Sequence, residues 1–206
     1  MSMKLVLASN NAKKLVELQA LFAPLGIELV TQGSLGIAEA EEPFETFAEN
    51  ALAKARHAAR ASGLPALADD SGLSVDALGG APGVRSARYA LDAGGEKGDA
   101  ANNERLLREL AGVDDAQDRG ARFVCALVAV RSAADPEPLV AMGRWSGRIL
   151  TTPRGTGGFG YDPLMFIPPL CRAVAELGPV EKNIHSHRAL AAGELVRQMR
   201  EVWKLG

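Results

Sequence analysis

The sequence predicts an α/β fold in which a mixed β-sheet is flanked by helices, and three stretches carry that prediction. Residues 4–8 (KLVLA), a following helix and Ile27 to Thr31 make a βαβ unit, whose two strands are expected to run parallel. Phe47 to Gly72 reads as a helix, a turn, a short buried strand and an acidic corner. Arg119 to Leu150 reads as two strands joined at Asp135-Pro136, an antiparallel hairpin that makes the sheet mixed. At 206 residues the chain is one domain or two lobes sharing a sheet, and no repeat or linker separates independent domains.

In order, the first strand runs into Ser9-Asn10-Asn11-Ala12-Lys13-Lys14, then a helix with Leu15, Leu18, Leu21 and Phe22 on one face, closed by Pro24 and Gly26. Hydrogen-bonding side chains, free helix amides and two lysines make that corner attractive to phosphate, although the glycines of a Walker loop are missing. The alternative is an N-capped surface helix with two solvated lysines. Residues 32–45 are loop-like and acidic, with Glu39, Glu41, Glu42 and Glu45; by composition any of them can supply a metal ligand.

Thr46 followed by Glu49 begins the next helix as a capping box, and Gly63 with Pro65 ends it. Phe47, Ala51, Ala55 and Ala58 form its apolar stripe, and small side chains let a helix lie close to its neighbour. Ala66-Leu67-Ala68 suits a buried strand, with Asp69, Asp70, Ser71 and Gly72 at its end. Adjacent carboxylates there are costly unless a cation or hydrogen bonds meet them. Asn50 and Lys54 share a helix face, so a lysine, an amide and two aspartates are candidates for a metal-and-phosphate site. A solvated turn is the alternative, for which DD-S-G is also suitable composition.

Beyond Gly72, alternation at Leu73, Val75 and Ala77 predicts a strand, and Gly79 to Gly83 an irregular turn. Asp92 to Gly98 reads as a loop, and Asp99 to Leu110 as a helix carrying Leu106, Leu107 and Leu110. Gly155 to Gly160 matches GxGxxG letter for letter, but Tyr161-Asp162-Pro163 follows where a dinucleotide fingerprint needs a helix, so a nicotinamide site is rejected. Glycines beside Phe159, Tyr161 and Asp162 suit a loop pressed against a flat ligand, or equally a connection with its aromatics in the core. Glu181 to Arg188 opens the last helix. His185 and His187, two apart, do not share a helix face, which argues against a zinc pair. Lys182, His187 and Arg188 matter as a cluster of donors.

The formal net charge of −2, without any basic run, argues against a nucleic-acid partner and against anionic membranes. No apolar stretch is long enough to span a bilayer. Two differently placed cysteines, Cys125 in an apolar run and Cys171 after Pro-Pro-Leu, suit a reducing compartment, so a cytoplasmic location is expected.

Five stretches taken together, LASNNAKK, the F-x-E-N-A-x-x-K-A-R helix, A-D-D-S-G-L, G-T-G-G-F-G-Y-D-P and E-K-N-x-x-S-H-R, make the chain resemble the RdgB/HAM1 family of inosine and xanthosine triphosphate pyrophosphatases. The resemblance runs from Lys4 to the last helix. It implies a long mixed sheet with two lobes and an active-site cleft between them, a homodimer, and Mg2+-dependent hydrolysis of deaminated purine nucleoside triphosphates to monophosphate and pyrophosphate. It also implies residue roles. Ser9, Asn10, Asn11, Ala12, Lys13 and Lys14 would hold the triphosphate, joined by Lys54. Glu42 and Asp70 would take the metal, with Asp70 also accepting a proton from water, and Ser71 would border the substrate. Phe159, Gly160, Tyr161 and Asp162 would wall the base, which Lys182, His187 and Arg188 would contact. His185 and Gly178 depart from the family pattern and bear on fine substrate preference.

This chemistry agrees with the residue types. Anionic phosphate oxygens repel a nucleophile, and lysines, helix amides and Mg2+ offset that charge while a carboxylate activates water. A magnesium-dependent phosphomonoesterase is the competing enzyme, though the DxDx[TV] nucleophile motif is absent; a non-catalytic nucleotide binder is the competing class.

Overall fold

The computed structural model describes residues 3–205. The elements in chain order are β1 (Met3–Leu7), α1 (Ala12–Phe22), β2 (Ile27–Thr31), α2 (Phe47–Ser62), β3 (Ala66–Val75), α3 (Asp99–Glu109), β4 (Gly120–Val130), β5 (Leu139–Ile149), β6 (Met165–Ile167), β7 (Arg172–Ala173), α4 (Pro179–His185) and α5 (His187–Val202). The strands form one sheet in the order β2-β1-β3-β4-β5-β6-β7. β1 pairs in parallel with β2 and β3, whereas β5–β6 and β6–β7 are antiparallel, so the sheet is mixed as the sequence predicts. The chain forms two compact units, one of residues 1–70, 125–143 and 187–206, the other of residues 71–124 and 144–186.

In the first unit, local signals set the helix ends. The Asn11 side chain accepts from the Lys13 and Lys14 amides and caps α1. Thr46 Oγ1 accepts from Glu49 N and donates to Glu49 Oε2, and Gly63, with φ 69°, closes α2. Strand alternation then builds two cores. Leu5, Leu7, Leu67, Leu127 and Ala129 pack with Leu18 and Phe22 of α1 and Ala191, Leu195 and Met199 of α5. Val6, Ala66, Ala68, Ala126 and Val128 pack with Ala51, Ala55 and Ala58 of α2, whose small side chains permit close approach. Both faces of these strands are therefore buried, which is why their sequences read as continuous apolar runs.

The second unit packs Leu73, Val75, Phe123, Trp145, Ile149, Leu164 and Met165 with Leu106 and Leu110 of α3. Arg119 is buried in it, where burial lowers its pKa and the Asp114 charge partly offsets that. Its Nε donates to Ile149 O, Nη1 to Leu110 O and Val113 O, and Nη2 to Leu150 O, so carbonyls at and beyond the end of α3 take its charge.

Two expectations are corrected. The acidic corner after Ala68 does not form: β3 runs unbroken from Ala66 to Val75, because each carboxylate meets a cationic side chain on its own face. Gly72 keeps this strand close to its neighbours, since a Cβ there would stand 2.4 Å from Ser86 Oγ and 2.5 Å from Gly83 O. The predicted last helix is two helices, because Ser186 adopts an extended conformation (φ −66°, ψ 155°) between α4 and α5.

Candidate active site

β-Strand alternation sends the side chains of Asp69 and Asp70 to opposite faces of the sheet. Asp70 follows Ala66 and Ala68 onto the α2 face, where Lys54 Nζ donates to Asp70 Oδ1 (2.9 Å), to Glu42 Oε1 (2.5 Å) and to Asp69 O (2.9 Å). One ammonium thus faces two carboxylates. Asp70 is 6% exposed, and its Oδ2 is buried with no hydrogen-bond partner among the described residues. Burial is the main influence on the Asp70 carboxyl and lifts its pKa above the ordinary value despite Lys54. Burial works against the Lys54 ammonium, but Asp70 and Glu42 outweigh it and raise its pKa.

Asp69 faces α1 and α5. Lys14 Nζ donates to its Oδ1, while Arg188 Nε (2.8 Å) and Cys125 Sγ (3.3 Å) reach Oδ2. Arg188 Nη1 also donates to Glu17 Oε2 at 2.5 Å. Burial opposes the Asp69 charge, yet Arg188 and Lys14 hold its carboxyl well below the usual carboxylate range. Burial and the Asp69 charge push the Cys125 thiol well up, so it stays protonated as a donor.

The other expected residues fall into three groups. At the start of α1, Ser9 Oγ accepts from Asn11 N, Asn10 Nδ2 donates to Glu39 Oε1, and Ala12 and Lys13 are exposed in the first turn. The Asn50 amide, a candidate partner of Lys54, is occupied by the backbone of Phe44, from which it accepts and to which it donates. Of the four loop glutamates, Glu42 is the one that reaches Lys54 and Glu39 the one that reaches Asn10.

In the second unit, Lys182 Nζ donates to Asp162 Oδ2 (2.8 Å) and lies 4.6 Å from the centroid of the Phe159 ring. Asp162 Oδ2 also accepts from Phe159 N, and Tyr161 Oη donates to Ser86 O. Gly158 (φ 74°) lies so close that a Cβ would stand 2.0 Å from Asp162 Oδ2. Aspartate, lysine and aromatic ring therefore form one rigid group. Ser71 is half-buried on β3 in this unit, and His187 is buried at the start of α5 in the first. The expected grouping of Lys182, His187 and Arg188 is thus divided between the two units.

Sequence reasoning missed Glu17, Cys125, Asp99 and Asn103. The last two clasp the glycine-rich loop: Gly160 N donates to Asp99 Oδ2 (2.7 Å) and Asn103 Nδ2 donates to Gly160 O (3.0 Å). Their spacing of four on one helix face was the available signal.

Fold and site together define a mixed α/β protein with a buried carboxylate–lysine cluster on a central strand and an aromatic, glycine-rich loop. The sequence profile of the Ham1 family matches residues 5–198. The chain is 65% identical to a dITP/XTP pyrophosphatase of Leptothrix cholodnii, over 98% of this chain and 100% of that protein. It is 61% identical to a dITP/XTP pyrophosphatase of Ralstonia nicotianae, over 96% of each. A HAM1 protein from Coxiella burnetii has the same fold, with a TM-score of 0.88 and 45% identity, covering 97% of this chain and 100% of that one. The chain belongs to the Ham1 family.

Proposed function

We propose that the protein hydrolyses deaminated purine nucleoside triphosphates, ITP, dITP and XTP, to the monophosphate and pyrophosphate. The observation that carries the reading is the orphaned, buried Oδ2 of Asp70 beside a lysine already shared with Glu42. The names of the relatives support the substrate class.

The Asp70–Glu42–Lys54 group has two negative charges and one positive, a balance that suits a divalent cation. No three His, Cys, Asp or Glu side chains gather as a ligand set among the described residues. That is compatible with Mg2+, which keeps several waters and takes one or two carboxylates plus substrate phosphates. Asp70 and Glu42 would hold the ion, which would offset phosphate charge when bound. Asp70, its carboxyl raised by burial, accepts the proton of the attacking water. Lys54 and Lys14, with Ser9 to Lys13, neutralise and orient the triphosphate.

Phe159 to Asp162 take the base, and Lys182 reads it. An ammonium only donates, so it pairs with a 6-keto oxygen and meets the 6-amino group of adenine donor to donor. Arg188, with Nε and Nη1 on Asp69 and Glu17, is assigned the lesser part of that reading. The reading includes a homodimer, and a cytoplasmic location that suits two unpaired cysteines. Among the described residues, no helix is long and apolar enough to cross a membrane.

The test is product identification with Mg2+ across a nucleotide panel. Pyrophosphate, with kcat/KM in the order ITP, dITP and XTP, then GTP, then ATP, is expected. Orthophosphate would favour the phosphomonoesterase, and no turnover the binder.

A further inference from the structure

We infer that α3 sets the substrate selectivity of the base loop, with Asp99 and Asn103 as positioning residues for the Gly160 peptide. The inference rests on the proposed function, because it assigns the loop Phe159 to Asp162 to the base. Both polar groups of Gly160 are taken by side chains of one helix: its N–H by Asp99 Oδ2 at 2.7 Å and its C=O by Asn103 Nδ2 at 3.0 Å. The two residues are four apart, so one helix face presents an acceptor and a donor to the two peptide groups that flank the Gly160 Cα.

Gly160 has φ 63°, and nothing lies within 4 Å of where a Cβ would stand, so no neighbour packs against it on that side. Glycine in that conformation is otherwise free to move, and the two hydrogen bonds are what restrict it. On either side of it the loop is anchored: Phe159 N to Asp162 Oδ2, and Tyr161 Oη to Ser86 O. Gly160 is therefore a link whose position is set from α3, and it joins Phe159 to Tyr161 in the chain. The helix itself is held independently, by Leu106 and Leu110 in the core and by Asn102, whose Oδ1 accepts from Ala90 N. Asn103 Oδ1 is buried with no hydrogen-bond partner among the described residues, so the side chain is committed to the loop by its donor end.

A loosened Gly160 peptide enlarges the range of bases the loop accepts while leaving the Asp70 group in the other unit untouched. Selectivity and KM should change, and kcat should not. The test is steady-state kinetics on ITP, XTP and GTP for Asp99→Ala, Asp99→Asn, Asn103→Ala and Asn103→Asp, with melting temperatures measured beside them. Asp99→Ala and Asn103→Ala should raise KM for ITP about tenfold, as the loss of one positioning hydrogen bond does, with kcat within about twofold. The GTP-to-ITP ratio of kcat/KM should rise in the same variants. Asp99→Asn keeps an acceptor for Gly160 N and should recover most of the KM. Asn103→Asp is isosteric but sets an acceptor against Gly160 O, and should exceed Asn103→Ala in KM. Should the isosteric Asn103→Asp match wild type in KM and in the GTP-to-ITP ratio, the inference is wrong. A uniform fall in kcat that tracks melting temperature also overturns it, by showing a merely structural role. Wild-type protein that releases no pyrophosphate from ITP removes the functional reading instead, and this inference with it.

Discussion

Asp69 and Asp70 are the same chemical group one residue apart on β3, and the sheet gives them opposite surroundings. Asp69 meets two cations and a thiol, with Glu17 balancing the second of the two positive charges, so its face holds a neutral, hydrogen-bonded network. Asp70 shares one ammonium with Glu42 and keeps an unbonded, buried oxygen. The first arrangement holds a carboxylate well below its usual range, and the second lifts one above it. Buried polar groups are ordinarily satisfied, so Asp70 Oδ2, one of several exceptions among the described residues, is the observation on which the proposed site rests. Adjacency in sequence did not give the two aspartates one set of hydrogen-bond partners; strand alternation gave them two.

The largest expected effect is on turnover at Asp70. Asp70→Asn keeps the shape and removes the charge, and kcat should fall by roughly 10² to 10⁴, the usual contribution of a general base. Stability should fall only modestly, because burial already opposes the Asp70 charge, the amide keeps an oxygen for Lys54, and Lys54 keeps Glu42. Rate measurement on purified protein, with a thermal melt alongside, checks both halves. A near-normal kcat would end the assignment.

Asp69→Asn should invert that pattern. It leaves Arg188, 2% exposed, with one carboxylate in place of two, and breaking a buried ion pair costs about 3–5 kcal/mol. The midpoint of denaturant unfolding reads the loss. If Asp69→Asn is as stable as wild type, the network is not what holds this face and the contrast between the two aspartates collapses.

Asp135 sharpens the comparison as a paired carboxylate at a turn. Arg131 donates to it from Nε and Nη2, and the amides of Arg131 and Glu137 donate as well. The Arg131 side chain is the first cause holding this carboxyl far below its ordinary pKa. A depressed folded-state pKa means that the stabilisation is complete above the ordinary carboxylate value of about 3.9 and is lost as pH falls below it towards the folded-state value. Asp135→Asn should cost about 1–3 kcal/mol at pH 7, and less in acid below about pH 3. Urea unfolding at both pH values measures the difference; an equal cost at both would show that charge is not what matters there.

What the sequence made legible follows the reach of each signal. β2 stands at Ile27–Thr31 as expected, and α2 begins after Thr46 and ends before Gly63, because caps and periodicity are local. The course of β3 through Asp69 and Asp70 was not legible, since the groups that make it tolerable come from positions 14, 54, 125 and 188. Composition likewise left four glutamates open, and only the fold brings Glu42 to Lys54. The α3 contacts to Gly160 span about sixty residues, and the spacing of four between Asp99 and Asn103 marks a shared helix face without saying what that face meets. The family resemblance implied roles for Asp70, Lys54 and Glu42 together, although Glu42 lies outside its motifs; the division of the two aspartates between faces needed the strand to be seen whole.

The smallest expected effect is at Cys125, the weakest donor to Asp69. Its thiol lies 3.3 Å from Asp69 Oδ2 and is fully buried. A thiol is a weak donor, and Asp69 keeps charged hydrogen bonds from Lys14 and Arg188 when it is replaced. Cys125→Ser retains a donor in a slightly smaller side chain, so its cost should stay within about 1 kcal/mol. Its kcat/KM for ITP should remain within about threefold of wild type, because nothing on the Asp70 face changes. Cys125→Val removes the donor at similar volume and isolates the hydrogen bond itself. If either variant costs as much as Asp69→Asn, the cations are not what neutralises Asp69. The thiol would then belong to the essential network, and the two faces would differ in a way that ion pairing does not explain.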